Sequence, residues 1–162
     1  MTKDEMTAPE EREERDVYFM RLALELARRA AERDEVPVGA IVVRDGELLS
    51  EGENRRECDR MATHHAEVLA IEEACRRLGG WRLPRCTLYV TLEPCPMCAG
   101  AIVNSRIERV VFGAYDARAG AFGSVTDLNS LPLNHKPEIT GGVLADECAG
   151  LLREYFRGKR KH

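Results

Sequence analysis

The sequence predicts an α/β fold: a mostly parallel sheet covered by helices on both faces and entered through one antiparallel hairpin. Three observations carry this expectation. Segments with helical apolar spacing alternate with short runs rich in β-branched residues along most of the chain. VPVGAIVV and LLSEGE are joined by RDGE, a hairpin turn signal. A length of 162 residues suits one domain with a core large enough to fold without staples.

Taken in order, the first element is an amphipathic helix from about Asp16 to Arg33. In it Phe19, Leu22, Ala23, Leu26 and Ala30 recur at helical spacing between charges. The hairpin strands follow. NRRECDRMATH is polar and reads as a loop. From His65 to Leu78, the residues Val68, Leu69, Ile71, Ala74, Cys75 and Leu78 mark a second helix, stopped by Gly79-Gly80. TLYVTL is a short buried strand. Pro94 and Pro96 open a third helix, Cys95 to about Asn104, because proline suits the first turn. RVVFGAY is a strand and EITGGVL a weaker one. ADECAGLLREYF is a closing helix with Ala145, Cys148, Leu151, Leu152 and Tyr155 at helical spacing. The stretch from Gly113 to Lys136 is rich in Gly, Asn, Ser and Pro, and long loops of this kind are often functional.

Residues 1–15 hold six acids and three bases and read as an acidic, disordered extension to a domain over residues 16–162. This start lacks the basic-then-apolar pattern of a signal peptide, and no apolar run approaches membrane-spanning length. The expected location is the cytoplasm, with no membrane partner. Six cysteines in such a setting point to metal ligands or buried thiols before disulfides. Cys75 and Cys148 fall on helices and read as small buried hydrophobes. The net charge of −4 argues mildly against nucleic acid, but five bases and one acid crowd Arg153 to Lys161. That tail could form a basic footprint or a solvated terminus.

The chemistry is concentrated in THHAEVLA and TLEPCPMC. Cys95 and Cys98, at i and i+3, share one face of a helix start, where the helix dipole favours thiolates. A lone C-x-x-C could equally hold a structural zinc or serve redox chemistry. His65 supplies a third ligand from the start of another helix. Three protein ligands leave one tetrahedral zinc position open, which marks a catalytic site. Glu67, two residues after His65, reads as the carboxylate that moves protons beside a zinc-activated water. His64 reads as a pocket-lip residue or a plain exposed histidine.

H-A-E followed by P-C-x-x-C is the signature of zinc nucleobase deaminases, and on these residues the chain resembles the cytidine deaminase superfamily. SRIERVVFGAYDARAGAFGS, GENR, EVPVGAIVV and the closing GVLADECAGLLREYFR make it similar to the bacterial tRNA-specific adenosine deaminases. That resemblance implies a three-layer α/β/α fold around a mixed five-stranded sheet. It implies one zinc per subunit, held by His65, Cys95 and Cys98, with Glu67 as proton shuttle. It also implies a homodimer that binds a tRNA anticodon stem-loop and converts the wobble adenosine of an arginine tRNA to inosine. By the same resemblance Asn54 would bond the purine edge, Val36 would line the base pocket and Asp116 would contact sugar. Phe156 and Arg160, four apart on the last helix, would stack on a base and pair with phosphate. Without the resemblance, Asn54 could simply end a strand, Asp116 could be a turn residue and Phe156 could be core. Gly158 is expected to weaken the last turn before Arg160.

Two other functions fit part of the pattern. A free-base or nucleoside deaminase, acting on guanine or cytosine, would share HAE and PCPMC. A zinc-stabilised RNA-binding module would share the ligands but has no need of Glu67.

Overall fold

The computed structural model describes residues 9–160. The chain runs α1 (Pro9–Glu32), β1 (Gly39–Arg44), β2 (Glu47–Glu53), α2 (Arg56–Asp59), α3 (Ala66–Leu78), β3 (Cys86–Leu92), α4 (Pro96–Asn104), β4 (Arg109–Ala114), β5 (Glu138–Gly141) and α5 (Ala145–Arg160). The strands form one sheet in the order β2-β1-β3-β4-β5. β1 is antiparallel to both β2 and β3, while β3, β4 and β5 are mutually parallel. Four strands therefore point one way and β1 alone points back. The sheet is mixed, and the helices lie on both of its faces.

Strand residues alternate between two apolar layers. Ala40, Val42, Leu88, Val90, Val110 and Phe112 pack with Ala66, Ala70, Ile71 and Ala74 of α3 and with Ala99 and Ile102 of α4. Ile41, Val43, Tyr89 and Val111 face the other way, against Phe19, Met20, Ala23 and Leu24 of α1 and Cys148 of α5. Burial on both faces explains why these strands read as unbroken apolar runs. The RDGE turn has Asp45 and Gly46 both at positive φ, as a two-residue hairpin turn requires.

Two glycines set the helix–sheet spacing. A Cβ on Gly39 would run into the Ala23 carbonyl oxygen of α1, and one on Gly52 into the Ala66 carbonyl oxygen of α3. The obstacle at each is helix backbone, which cannot move aside as a side-chain tip can. Gly52→Ala is therefore expected to destabilise the fold by about 1–3 kcal/mol or more. A urea unfolding curve checks this, and an unchanged midpoint would show that α3 has room to retreat.

Three boundaries differ from expectation. The first helix starts at Pro9, not near Asp16, so residues 9–15 belong to α1 and not to a disordered extension; residues 1–8 lie outside the described residues. The reason is local: proline opens the first turn, with Glu10 and Glu11 beside the positive dipole end. The polar NRRECDRMATH segment contains the single turn α2, whose Glu57 and Cys58 N–H groups donate to the buried Glu35 carboxylate at 3.0 and 2.9 Å. α5 continues through Gly158 to Arg160, longer than the expected last turn. Cys148 is buried as expected, whereas Cys75 is only partly so.

Candidate active site

The start of β1 lies beside the ends of β2 and β3, since Gly39 pairs with Glu53 and Ala40 with Val90. β4 leaves the sheet at the same end, where Ala114 pairs with Leu92. The first turns of α3 and α4 follow from there, and each begins on a candidate ligand. His65 is the N-cap of α3 and Cys95 the N-cap of α4, both with extended backbone and neither using its side chain to cap. Both side chains are thus available to a shared target.

They meet. His65 Nδ1 lies 3.6 Å from Cys95 Sγ and 3.5 Å from Cys98 Sγ. Among the described residues, these three form the one group of donors close enough to hold a metal, all within 4.8 Å of one another. A tetrahedral zinc with ordinary Zn–N and Zn–S bonds would separate imidazole nitrogen and thiolate sulfur by about 3.6 Å. The donor spacing fits zinc.

The electrostatics agree with a ligand cluster. The hydrogen bond from Cys98, then that with His65, hold the Cys95 thiol down at about 4 despite its burial. The same contact with Cys95, together with burial, pushes Cys98 up. His65 is raised, chiefly by its bond to Cys95. Glu67 stands one residue into α3, 4% exposed and outside the donor group. Burial pushes its carboxyl up to about 7, so it can hold or release a proton near neutrality.

A cleft of about 740 Å³ opens among the described residues. Val36 and Leu92 line it together with Tyr115, Asp116, Arg118 and, from α5, Leu152, Arg153, Phe156, Arg157 and Lys159. Val36, Asp116 and Phe156, picked out from sequence, therefore share one wall system. Phe156 is 47% exposed, which excludes a core role. Asp116 also shapes its turn, its Oδ1 accepting from the N–H groups of Arg118 and Ala119. Arg160 ends α5, and its side chain lies outside the described residues. The tail is braced: Tyr155 donates to the Asp34 carbonyl at 3.0 Å and Lys159 to the Asp34 carboxylate at 2.6 Å.

Asn54 is buried beside Val36 and already half engaged. Its Nδ2 donates to the Val36 carbonyl at 3.2 Å, and its Oδ1 accepts from Arg56 N–H at 3.2 Å. These contacts use one of its two N–H groups and one of its two lone pairs. His64 is half-buried, its Nδ1 2.8 Å from the Asp59 carboxylate.

Sequence reasoning missed two buried carboxylates here, Glu35 and Glu93. Burial alone would raise both. In Glu93 the bonds from Ser124, Asp116 and Phe122 outweigh it, and in Glu35 those from Cys58 and Glu57 do, so both carboxyls lie below the ordinary value.

Fold and donor set together define a zinc-dependent deaminase. The family model for the cytidine and deoxycytidylate deaminase zinc-binding region matches residues 13–114. A tRNA-specific adenosine deaminase of Bacillus subtilis is 49% identical over 147 residues, 90% of this chain and 91% of the relative. A solved structure from studies of A-to-I editing by tRNA:A34 deaminases at the wobble position superposes with a TM-score of 0.81 at 46% identity, covering 83% of this chain and 98% of that one. A guanine deaminase from Nitrosomonas europaea also superposes, with a TM-score of 0.74 at 30% identity, covering 93% and 85% of the two chains. The chain belongs to the cytidine and deoxycytidylate deaminase family and, within it, to the tRNA-specific adenosine deaminases.

Proposed function

We propose that the protein hydrolyses adenosine to inosine at the wobble position of a tRNA anticodon, releasing ammonia, with an arginine tRNA as the expected substrate. The observation that carries this reading is the pairing of a buried deaminase site with an open cleft lined by aromatic and cationic side chains. A free base would use the site and leave the cleft idle.

His65, Cys95 and Cys98 would hold the zinc, which would supply a water activated near neutral pH. Glu67 would move the protons, taking one from the attacking water, delivering it to the purine ring nitrogen next to C6, and assisting the departing amine as its bond to C6 breaks. Val36 packs against the flipped base, and the remaining N–H and lone pair of Asn54 face its edge. Asp116 meets the sugar, while Phe156 offers a stacking face and Arg118, Arg153 and Arg157 offer charge to flanking phosphates. Arg160 extends the same basic helix.

Residues 16–162 are read as the deaminase domain, with the first turns of α1 tied to it by the Arg12–Glu138 ion pair at 3.0 Å. A homodimer is proposed as well: Met97 on α4, and Leu131 and Leu133 between β4 and β5, are exposed apolar side chains that a second copy would cover. A cytoplasmic location is part of the same proposal, and no helix among the described residues is long and apolar enough to cross a membrane.

Incubation with bulk tRNA followed by nucleoside mass spectrometry tests the reading. Inosine should accumulate, and its absence at high enzyme concentration would reject the tRNA substrate. Truncation before Arg157 is expected to weaken tRNA binding and to flatten its salt dependence, by about one logarithmic unit of slope for each phosphate left without its cation. Binding titrations at two salt concentrations check this, and unchanged affinity in both would make the tail a solvated terminus. Zinc content should not change.

A further inference from the structure

Glu93 belongs neither to the ligand cluster nor to the proton path, yet it is only 2% exposed. It stands between the end of β3 and Cys95. Its Oε1 accepts from Asp116 N–H at 3.0 Å and from the Ser124 hydroxyl. Its Oε2 accepts from the N–H groups of Phe122 and Ser124, both at 3.1 Å. Two main-chain bonds flank this hub, Glu93 N–H to Ala114 O and Ala121 N–H to Pro94 O, each 2.8 Å. Gly120 lies so close that a Cβ there would overlap the carboxylate.

Four donors thus converge on two oxygens. Only an ionised carboxylate of this length accepts from all of them. An amide of the same shape would accept at one oxygen and turn an NH₂ group onto N–H donors. The two segments joined have different tasks. One leads within two residues to Cys95. The other carries Tyr115, Asp116 and Arg118 into the cleft.

We propose that Glu93 is a positioning residue that fixes the loop after β4 against the ligand-bearing turn, and so sets where the nucleotides flanking the reacting base are held relative to the zinc site. This rests on the tRNA reading of the cleft. The loop could fold back in some form without Glu93, but its cleft residues would no longer be held in register with Cys95.

The test is steady-state deamination of an anticodon stem-loop by Glu93→Gln, with zinc content and melting temperature measured on the same preparation. We expect KM to rise about tenfold or more while kcat stays within about threefold and zinc remains stoichiometric, since the grip on the substrate's flanks loosens and the chemical groups stay in place. Ser124→Ala, which removes one hydroxyl donor to the same carboxylate, should move KM in the same direction by a smaller factor. It keeps the test open if Glu93→Gln fails to fold. A lowered melting temperature with unchanged KM in whichever variants fold would make Glu93 a structural tie only and overturn the proposal. If the wild-type enzyme forms no inosine in the stem-loop, the substrate reading itself falls, and this proposal with it. Wild-type turnover with an unmoved variant KM overturns the proposal alone.

Discussion

Glu67→Ala is expected to lose turnover by about 10²–10⁴-fold or more while retaining its zinc. The carboxylate lies outside the donor group formed by His65, Cys95 and Cys98, so its removal leaves the ligands in place. What is removed is the buried carboxylate of α3, held where it can take and return protons near neutral pH. One group serving several transfers justifies an effect at or beyond the upper end of the range. Glu67→Gln is a stricter version, because it keeps the side-chain volume and a hydrogen-bonding oxygen but cannot accept a proton in the required way. Single-turnover rates and metal analysis on the same samples decide the matter. Near wild-type turnover, or loss of the metal, would contradict the assigned role.

Cys95→Ser combined with Cys98→Ser is expected to strip the zinc and reduce activity to background. The two thiols would supply two of the three ligands, and serine hydroxyls are poor substitutes for thiolates at neutral pH. The fold should partly survive. Cys98 packs at the start of α4, but the two apolar layers on either face of the sheet draw on all five strands and on four helices. Circular dichroism should therefore show retained secondary structure with a lowered melting temperature, and metal analysis should show zinc far below one per chain. Full zinc in the double variant would refute the ligand assignment. Prolonged treatment of the wild-type enzyme with a strong chelator should give the same loss of activity, reversed by added zinc.

Much of this architecture could be read from residue patterns. The ligands were visible because the chemistry demands particular types at particular spacings, and two helix starts one strand apart are natural places for them. The strands were visible because burial on both faces leaves unbroken β-branched runs. Strand order was not visible: nothing in VPVGAIVV says that its second edge pairs antiparallel with TLYVTL. The start of α1 carried a legible signal, a proline and two glutamates, but overall acidity masked it. Glu35 and Glu93 were hidden for a different reason. An acidic residue normally seeks solvent, and these two are buried because N–H groups more than twenty residues away converge on them. Such partners are set by the tertiary fold. Within the loop after β4, the density of Gly and Ser marked something unusual but not its anchor.

In the function proposed above, a general deaminase site gains its substrate from the cleft lined by Val36, Leu92 and α5. Zinc and a glutamate can act on any suitably placed amino-substituted ring carbon, so choice depends on binding energy made elsewhere and spent on orienting the base. An unpaired loop nucleotide is cheap to flip out, and its neighbours present stacking faces, 2′-hydroxyls and phosphates to Asp116, Arg118, Arg153 and Phe156. The guanine deaminase with a similar fold makes the alternative concrete. The decisive measurement compares rates, side by side, on an anticodon stem-loop with adenosine at the wobble position and on free guanine, cytosine, cytidine and adenosine. Efficient inosine formation in the stem-loop with poor turnover of the free compounds is the expected result. Efficient turnover of free guanine or cytosine, with no inosine in the stem-loop, would contradict it.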